Sequence, residues 1–476
     1  MISPIMDRVH VKTYCFYVPY RLLYPFWEKF MEEQDAPGRV HPYVTLAGDL
    51  PTGSLGDYMG LPKDCPSGTE VNAFPFAAYE LIYHEWFRNQ YLNTDDFDDI
   101  ALGDGDQSGN YAGRVAGDVK FKCWNNDRYT AALPQAQRGN PVSLPLVTGT
   151  IPVELDTTNP AAWTVHDVNG GGPLGPPTGA IVESGTNSEL KMDSQGPTDR
   201  IMLNPNDTLY VDIQAEAVTI NALREAIALQ RMLEIDNFGG ARYTEIIEAH
   251  FGVKSPDARL QRPELVGYFS GVVTISEVLQ TATPQSAATD STAPDAQPLG
   301  SMAGHGISVN GSERFGYYAT EHGLILNMIC VLPDTSYFQG LDRKWSHRLR
   351  TDYPFPSLAN VGEVAVLNKE VYARHSEPDG EWGYLPPYYD WKDVPGNTVA
   401  GHFKDSLDHW HASREFDGDQ DLNEDFVLAN DVPNRIFAVQ YIGGTPGSYT
   451  EDQIFGYIYH KITISRLLPY HVRPVI

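Results

Sequence analysis

RVHVKTYCFYV, Arg8 to Val18, is a run of β-branched and aromatic residues closed by Pro19, which has no N–H for a ladder, and it reads as a strand. Two later stretches read the same way. GYYATEHGLILNMICVL, Gly316 to Leu332, carries a strand-pair signal in which Leu324, Leu326 and Met328 alternate with Ile325, Asn327 and Ile329, so both faces are expected to be buried before Pro333 ends the run. In IFGYIYHKITIS, Ile454 to Ser465, Ile454, Ile458, Ile462 and Ile464 fall on one side and Phe455, Tyr457, Tyr459 and Lys461 on the other, the cleanest period of two in the chain. Strands this far apart, separated by long excursions rather than regular helices, argue against a doubly wound sheet or a βα barrel and favour an all-β sandwich of Greek-key type. With 42 Gly and 35 Pro in 476 residues, a single β architecture carrying long insertions is expected over several domains.

Several helices interrupt the strands. Tyr20 to Met31 reads as a short amphipathic helix, and Phe76 to Leu92 as another, introduced by Pro75 at a permitted early position. From Ile220 to Asp236 apolar residues recur at three and four, with Thr219 or Asn221 available as a cap. Gly239-Gly240 then breaks the helix, and Tyr243, Ile246, Ile247, His250 and Phe251 resume the spacing up to Gly252, a left-handed terminator. SPDARLQRP, closed by Pro263, and the aromatic, proline-rich YLPPYYDW from Tyr384 are expected to run extended over the surface.

Two stretches have no core-forming pattern. Pro141 to Pro205 carries turn signals every few residues, which excludes long helices, and residues 139–205 read as an elaborate surface insertion with short strands. Thr281 to Gly306, rich in Ala, Ser, Thr, Pro and Gly, has too little apolar surface to order itself and reads as a flexible loop.

Long ordered blocks of the chain resemble the major capsid proteins of the Microviridae, in particular the gokushovirus-like branch. They are MDRVHVKTYCFYVPYRLLYPFWEKFM from Met6, VNAFPFAAYELIYHEWFRNQYLN from Val71, LQRMLEIDNFGGARYTEIIEAHFGVKSPDARLQRP from Leu229, LNEDFVLANDVPNRIFAVQY from Leu422 and QIFGYIYHKITISRLLP from Gln453. The resemblance implies one domain over residues 1–476, an eight-stranded jelly roll, with 139–205 as the insertion that builds the surface protrusions. It implies self-assembly through pentamers into a T=1 icosahedral virion shell around circular single-stranded DNA, in the host bacterial cytoplasm. It further implies a small basic DNA-packaging protein, a pilot protein and a host surface receptor as partners. Members of that family carry a further segment ahead of the part resembling Ile5 to Val18, whereas this chain begins almost at that strand, which puts the first barrel strand and any N-terminal arm in question.

The net charge of −28 means the chain does not neutralise DNA by itself, because phosphate-binding surfaces cluster Lys and Arg. Two local exceptions are candidates to face DNA: LDRKWSHRLR, with Arg343, Lys344, Arg348 and Arg350, and the terminal segment, with Lys461, Arg466 and Arg473. A solvated or partner-paired basic patch explains either equally well. The 27 Tyr suit burial against further copies, since aromatic residues are enriched at interfaces. No run of about eighteen apolar residues is present, so a membrane span or conventional secretion is not expected.

No cofactor, metal site or catalytic centre is expected. Cys15, Cys65, Cys123 and Cys330 stand far apart without a CxxC pair and read as free thiols, Cys15 and Cys330 within strands. DGDQDLNED from Asp417 imitates the start of a calcium loop, but Leu422 stands where glycine is required and Leu428 where Glu is required, which rejects an EF-hand. The Asp95, Asp96, Asp98, Asp99 run reads as solvated, and His409-Trp410-His411 as surface or interface packing without a third ligand. His84-Glu85 lacks a zinc protease's second histidine, Ser270 lacks a GxSxG elbow, and the glycines from Gly103 to Gly109 lack a closing GK[ST]. Composition alone also accommodates a carbohydrate-active β-sandwich enzyme or a glycan-binding adhesin, both of which use carboxylates and aromatic platforms.

Overall fold

The computed structural model describes residues 7–32, 38–93, 100–139, 142, 154–155, 164–167, 173–174, 181–184, 189–192, 201–204, 209–210, 220–273, 308–309, 311, 314–393, 398–430 and 456–466. The principal elements in chain order are β1 (Val9–Pro19), β2 (Tyr43–Thr45), β3 (Glu70–Asn72), α1 (Phe74–Ile82), α2 (Ile220–Gly239), α3 (Tyr243–Phe251), β4 (Glu264–Val272), β5 (Gly323–Pro333), β6 (Val364–Leu367) and β7 (Glu381–Leu385). Two compact units result, one formed by residues 1–138 with 233–476 and the other by Gly139–Met232.

In the larger unit β1 is the middle strand of a three-stranded antiparallel sheet, between β4 and β5. Register sets its faces: Tyr14, Phe16 and Val18 stand opposite Met328, Leu326 and Leu324, and this layer packs on the core together with Phe74, Ala77, Ala78, Leu81 and Ile82 of α1. The Phe16 ring lies 5.3 Å from Trp86 and 5.9 Å from Phe87. The opposite face is not buried, contrary to the expectation for Gly316 to Leu332, since Ile325 and Ile329 are 53% and 50% exposed. Nor do two strands form there: β5 begins at Gly323, and the chain before it crosses Gly267, where an added Cβ would lie 2.7 Å from the Phe315 ring.

A second core gathers around the β6–β7 pair, with Tyr129, Val366, Val371, Trp382, Leu385, Tyr389, Phe416 and Phe426. Leu385 and Tyr389 are therefore core residues, and YLPPYYDW is not surface chain: Tyr388 at φ 61° reverses the backbone and delivers Tyr389–Lys392 as a helical turn.

Proline explains the first departure from the helix expectations. The helix expected over Tyr20–Met31 splits into Tyr20–Leu23 and Trp27–Glu32, because Tyr24 before Pro25 is held extended at φ −129°, ψ 103°. The next helix is shorter than expected: α1 runs on as a π-helical turn, Tyr83–Phe87, and stops at Arg88, which is extended. SPDARLQRP turns rather than running straight, since the N–H groups of Arg259 and Leu260 donate to Pro256 O at 3.0 and 3.2 Å and Arg262 pairs with Asp257 at 3.1 Å.

Helices α2 and α3 follow the expected order, with Gly240 at φ +109° making the corner and Gly252 at φ +66° ending α3. Asn221 lies inside α2 rather than at its cap. Gly239 is needed for close approach, because an added Cβ there would lie 2.4 Å from Ala249 Cβ.

In the smaller unit the described strands form short antiparallel pairs: 154–155 with 209–210, 164–167 with 173–174 and 201–204, and 181–184 with 189–192. Thr281 to Gly306 and the Asp95–Asp99 run lie outside the described residues. Residues 456–466 are described without strand pairing, unlike the strand expected over Ile454–Ser465. The described strands thus form open sheets of two or three, accompanied by helices.

Candidate assembly and nucleic-acid surface

The basic stretch LDRKWSHRLR forms a strap of short 3-10 turns, Arg343–Trp345, Arg350–Asp352 and Pro356–Leu358. Its first cation points inward. Arg343 Nη1 donates to Ala365 O at 3.1 Å and to Tyr389 Oη at 3.0 Å, and lies 3.5 Å from the fully buried Glu370 carboxylate. Glu370 also accepts from Tyr389 Oη at 2.7 Å and from the Leu367 N–H at 3.2 Å. Burial raises its pKa above the usual glutamate value, against these donors and Arg343, which stabilise the charged form. Arg343 is thus an anchor rather than an open cation.

The far end of the strap is held as firmly. Asp352 Oδ2 accepts the Arg348 and Leu349 N–H groups, both at 2.7 Å, and these bonds hold its pKa below the usual carboxylate range. Trp391 Nε1 donates to Asp352 O at 3.2 Å, and His347 pairs with Asp390 at 2.8 Å while stacking on Trp391 at 5.6 Å between centroids. On this scaffold Lys344, Arg348 and Arg350 are exposed, Lys344 lying 5.7 Å from the Trp345 ring centre and Arg350 5.2 Å from that of Phe355. Beside them Trp345 is 72% exposed, Leu349 65%, Tyr353 51% and Trp391 47%. These four apolar residues were not singled out from sequence, although the alternation of cations with Trp, Leu and Tyr in RKWSHRLRTDY was visible.

Of the terminal cations, Lys461 and Arg466 are exposed on residues 456–466 next to exposed Tyr457, Tyr459, Ile462 and Ile464, while Arg473 lies outside the described residues. Further apolar surface is open on α2 and α3, where Phe238, Tyr243 and Phe251 are exposed. Single exposed apolar residues are ordinary, but clusters of this size mark interaction surfaces.

No reaction centre emerges among the described residues. A cleft of about 550 Å³ is lined by Trp86, Arg88, Trp124, Phe238, Arg242 and Tyr384 among others, but its cations are engaged. Arg242 donates to His84 O and Arg88 O at 3.2 and 3.0 Å, and Arg88 donates to Asn93 O at 3.2 Å. Among the described residues no group of three or more His, Cys, Asp or Glu is placed to hold a metal. Asp419 instead accepts from the Ser376 N–H at 3.0 Å. His411 is buried, not at the surface: its Nε2 lies 2.7 Å from Phe403 O and its ring packs edge-on to Phe338. The four thiols are free, and burial pushes that of Cys15 up to about 11. No helix among the described residues is long and apolar enough to cross a membrane.

A family model described as Capsid protein (F protein) matches residues 1–472. The chain is 34% identical to capsid protein VP1 of Bdellovibrio phage phiMH2K, over 92% of this chain and 81% of that protein. It is 30% identical to capsid protein VP1 of Chlamydia phage 1, over 92% and 83%, and 29% identical to that of Spiroplasma virus 4, over 94% and 82%.

Proposed function

The chain belongs to the Capsid protein (F protein) family and is a structural major capsid protein of the virion rather than an enzyme, and we propose that its copies close into a T=1 icosahedral shell around circular single-stranded DNA. What carries this reading is the family match over residues 1–472, in a chain whose larger unit leaves several apolar clusters open to solvent. Closure makes many modest contacts act together, so a shell is stable even where single interfaces are weak.

Within this reading the strands complete an eight-stranded jelly roll over residues 1–476, and 139–205 form the surface protrusion, which agrees with Gly139–Met232 being a compact unit. The exposed Lys344, Arg348 and Arg350 of the strap that Arg343 anchors, with Lys461, Arg466 and Arg473 of the terminal segment, are the cations that DNA or a neighbouring copy would meet. An acidic shell needs help with its cargo, which a small basic packaging protein supplies; a pilot protein and a host surface receptor complete the partners, and assembly takes place in the bacterial cytoplasm.

Sedimentation velocity and electron microscopy of the purified protein test this directly. Uniform small icosahedral particles are expected. Persistent monomers at every salt and protein concentration, combined with turnover or binding of a glycan, would overturn it in favour of the carbohydrate-active alternatives.

A further inference from the structure

We infer that the strap from Leu341 to Leu358, with Trp391, is a central contact between two copies of this chain. The inference deepens the shell reading above and rests on it. Three observations carry it. The first is composition, since Trp345, Leu349, Tyr353 and Trp391 stand open beside Arg348 and Arg350, and Trp, Tyr and Arg are the residues on which interface energy concentrates.

The second is preorganisation. The strap is fastened at Arg343 to Glu370 and Ala365 O, at Asp352 to its own backbone and Trp391, and at His347 to Asp390. Open rings on a loose loop would lose much of their binding energy to ordering, whereas rings on a fastened strap lose little. A strap held this way, with apolar groups facing solvent, suits a docking surface.

The third is the occupant. Lys344, Arg348 and Arg350 are the exposed cations of the strap, whose own carboxylates are Asp342 and Asp352, while the whole chain carries −28, so another copy of this chain is a complementary partner. Single-stranded DNA would use the rings and cations but gains little from Leu341, Leu349 and Leu358, which are also exposed. A protein surface buries all of them.

Leu349→Cys provides the test, with alkylation at position 349 followed by peptide mass mapping to separate it from the four native thiols. Labelling in assembled particles should be slowed about tenfold or more relative to dissociated subunits, a difference of about 1.4 kcal/mol in exposure of the site. Equal rates would overturn the inference, and so would protection found only in DNA-filled particles and lost in empty shells, which assigns the strap to DNA. A second variant, Leu349→Asp, should give subunits with an unchanged urea midpoint that form no particles, whereas a normal particle yield would count against the contact. Failure of the unsubstituted chain to form any particle would sink the shell reading itself; particles with position 349 open would sink only the contact.

Discussion

Phe16→Ala should destabilise the subunit far more than Ile329→Ala, although the two residues lie on the same three-stranded sheet. Phe16 is fully buried, its ring meeting Trp86 and Phe87 at 5.3 and 5.9 Å, so truncation loses both transfer energy and packing. Burial of such a side chain is worth about 1.5–3 kcal/mol, each aromatic pair adds about 0.5–1.5 kcal/mol, and the cavity raises the cost, giving about 4 kcal/mol. Ile329 keeps half its surface in water on the opposite face, so its truncation should cost about 1 kcal/mol or less in the isolated subunit. Urea unfolding of dissociated subunits, followed by tryptophan fluorescence, reads the difference. With a slope of about 3 kcal/mol/M, the Phe16 variant should shift its midpoint by about 1.3 M and the Ile329 variant by less than about 0.4 M. Equal shifts, or a smaller one for Phe16, would show that the face assignment of β1 is wrong.

Gly239→Ala would gain about 1 kcal/mol from helix propensity, but its methyl would lie 2.4 Å from Ala249 Cβ; the clash should win, giving a net loss of about 1–2 kcal/mol measurable by urea titration. Gly340→Ala should be worse, about 3 kcal/mol or more, because its Cβ would lie 1.9 Å from the backbone oxygen of Glu370, and poor recovery of folded subunits is the expected readout. Glu370 has a folded pKa raised above 4.5 by burial, so its protonation contributes stability that is fully present below pH 4.5 and is lost as pH rises through the folded value. Stability curves collected across that window should be flatter for Glu370→Gln than for the unsubstituted chain, and parallel curves would refute the assignment.

The β-branched and aromatic run at β1, the glycine corner between α2 and α3 and the left-handed stop at Gly252 were all legible in the sequence, because each is a property of neighbouring residues: β propensity, absent Cβ atoms, and positive φ. The family was legible too, in long ordered blocks. Local rules misjudged Tyr20–Met31 only where the pre-proline constraint at Tyr24 was overlooked.

Burial was not legible in the same way. Ile325 and Ile329 are as apolar as Leu324 and Leu326, yet only the second pair meets α1 and its neighbours; which face is covered depends on elements hundreds of residues away. Tyr389, in a stretch that looked like surface chain, is buried because Glu370 and Arg343 converge on its hydroxyl. The same convergence turns Arg343 from a free cation into an anchor and leaves Arg348 and Arg350 outside. Sequence by itself determined the strand at β1, the two helices α2 and α3 with the glycine corner between them, and the kinship of the chain, since those rest on local chemistry and residue order. Tertiary structure alone decided which apolar residues are core and which remain open for a partner, because burial is a relation between distant segments and belongs to no residue singly.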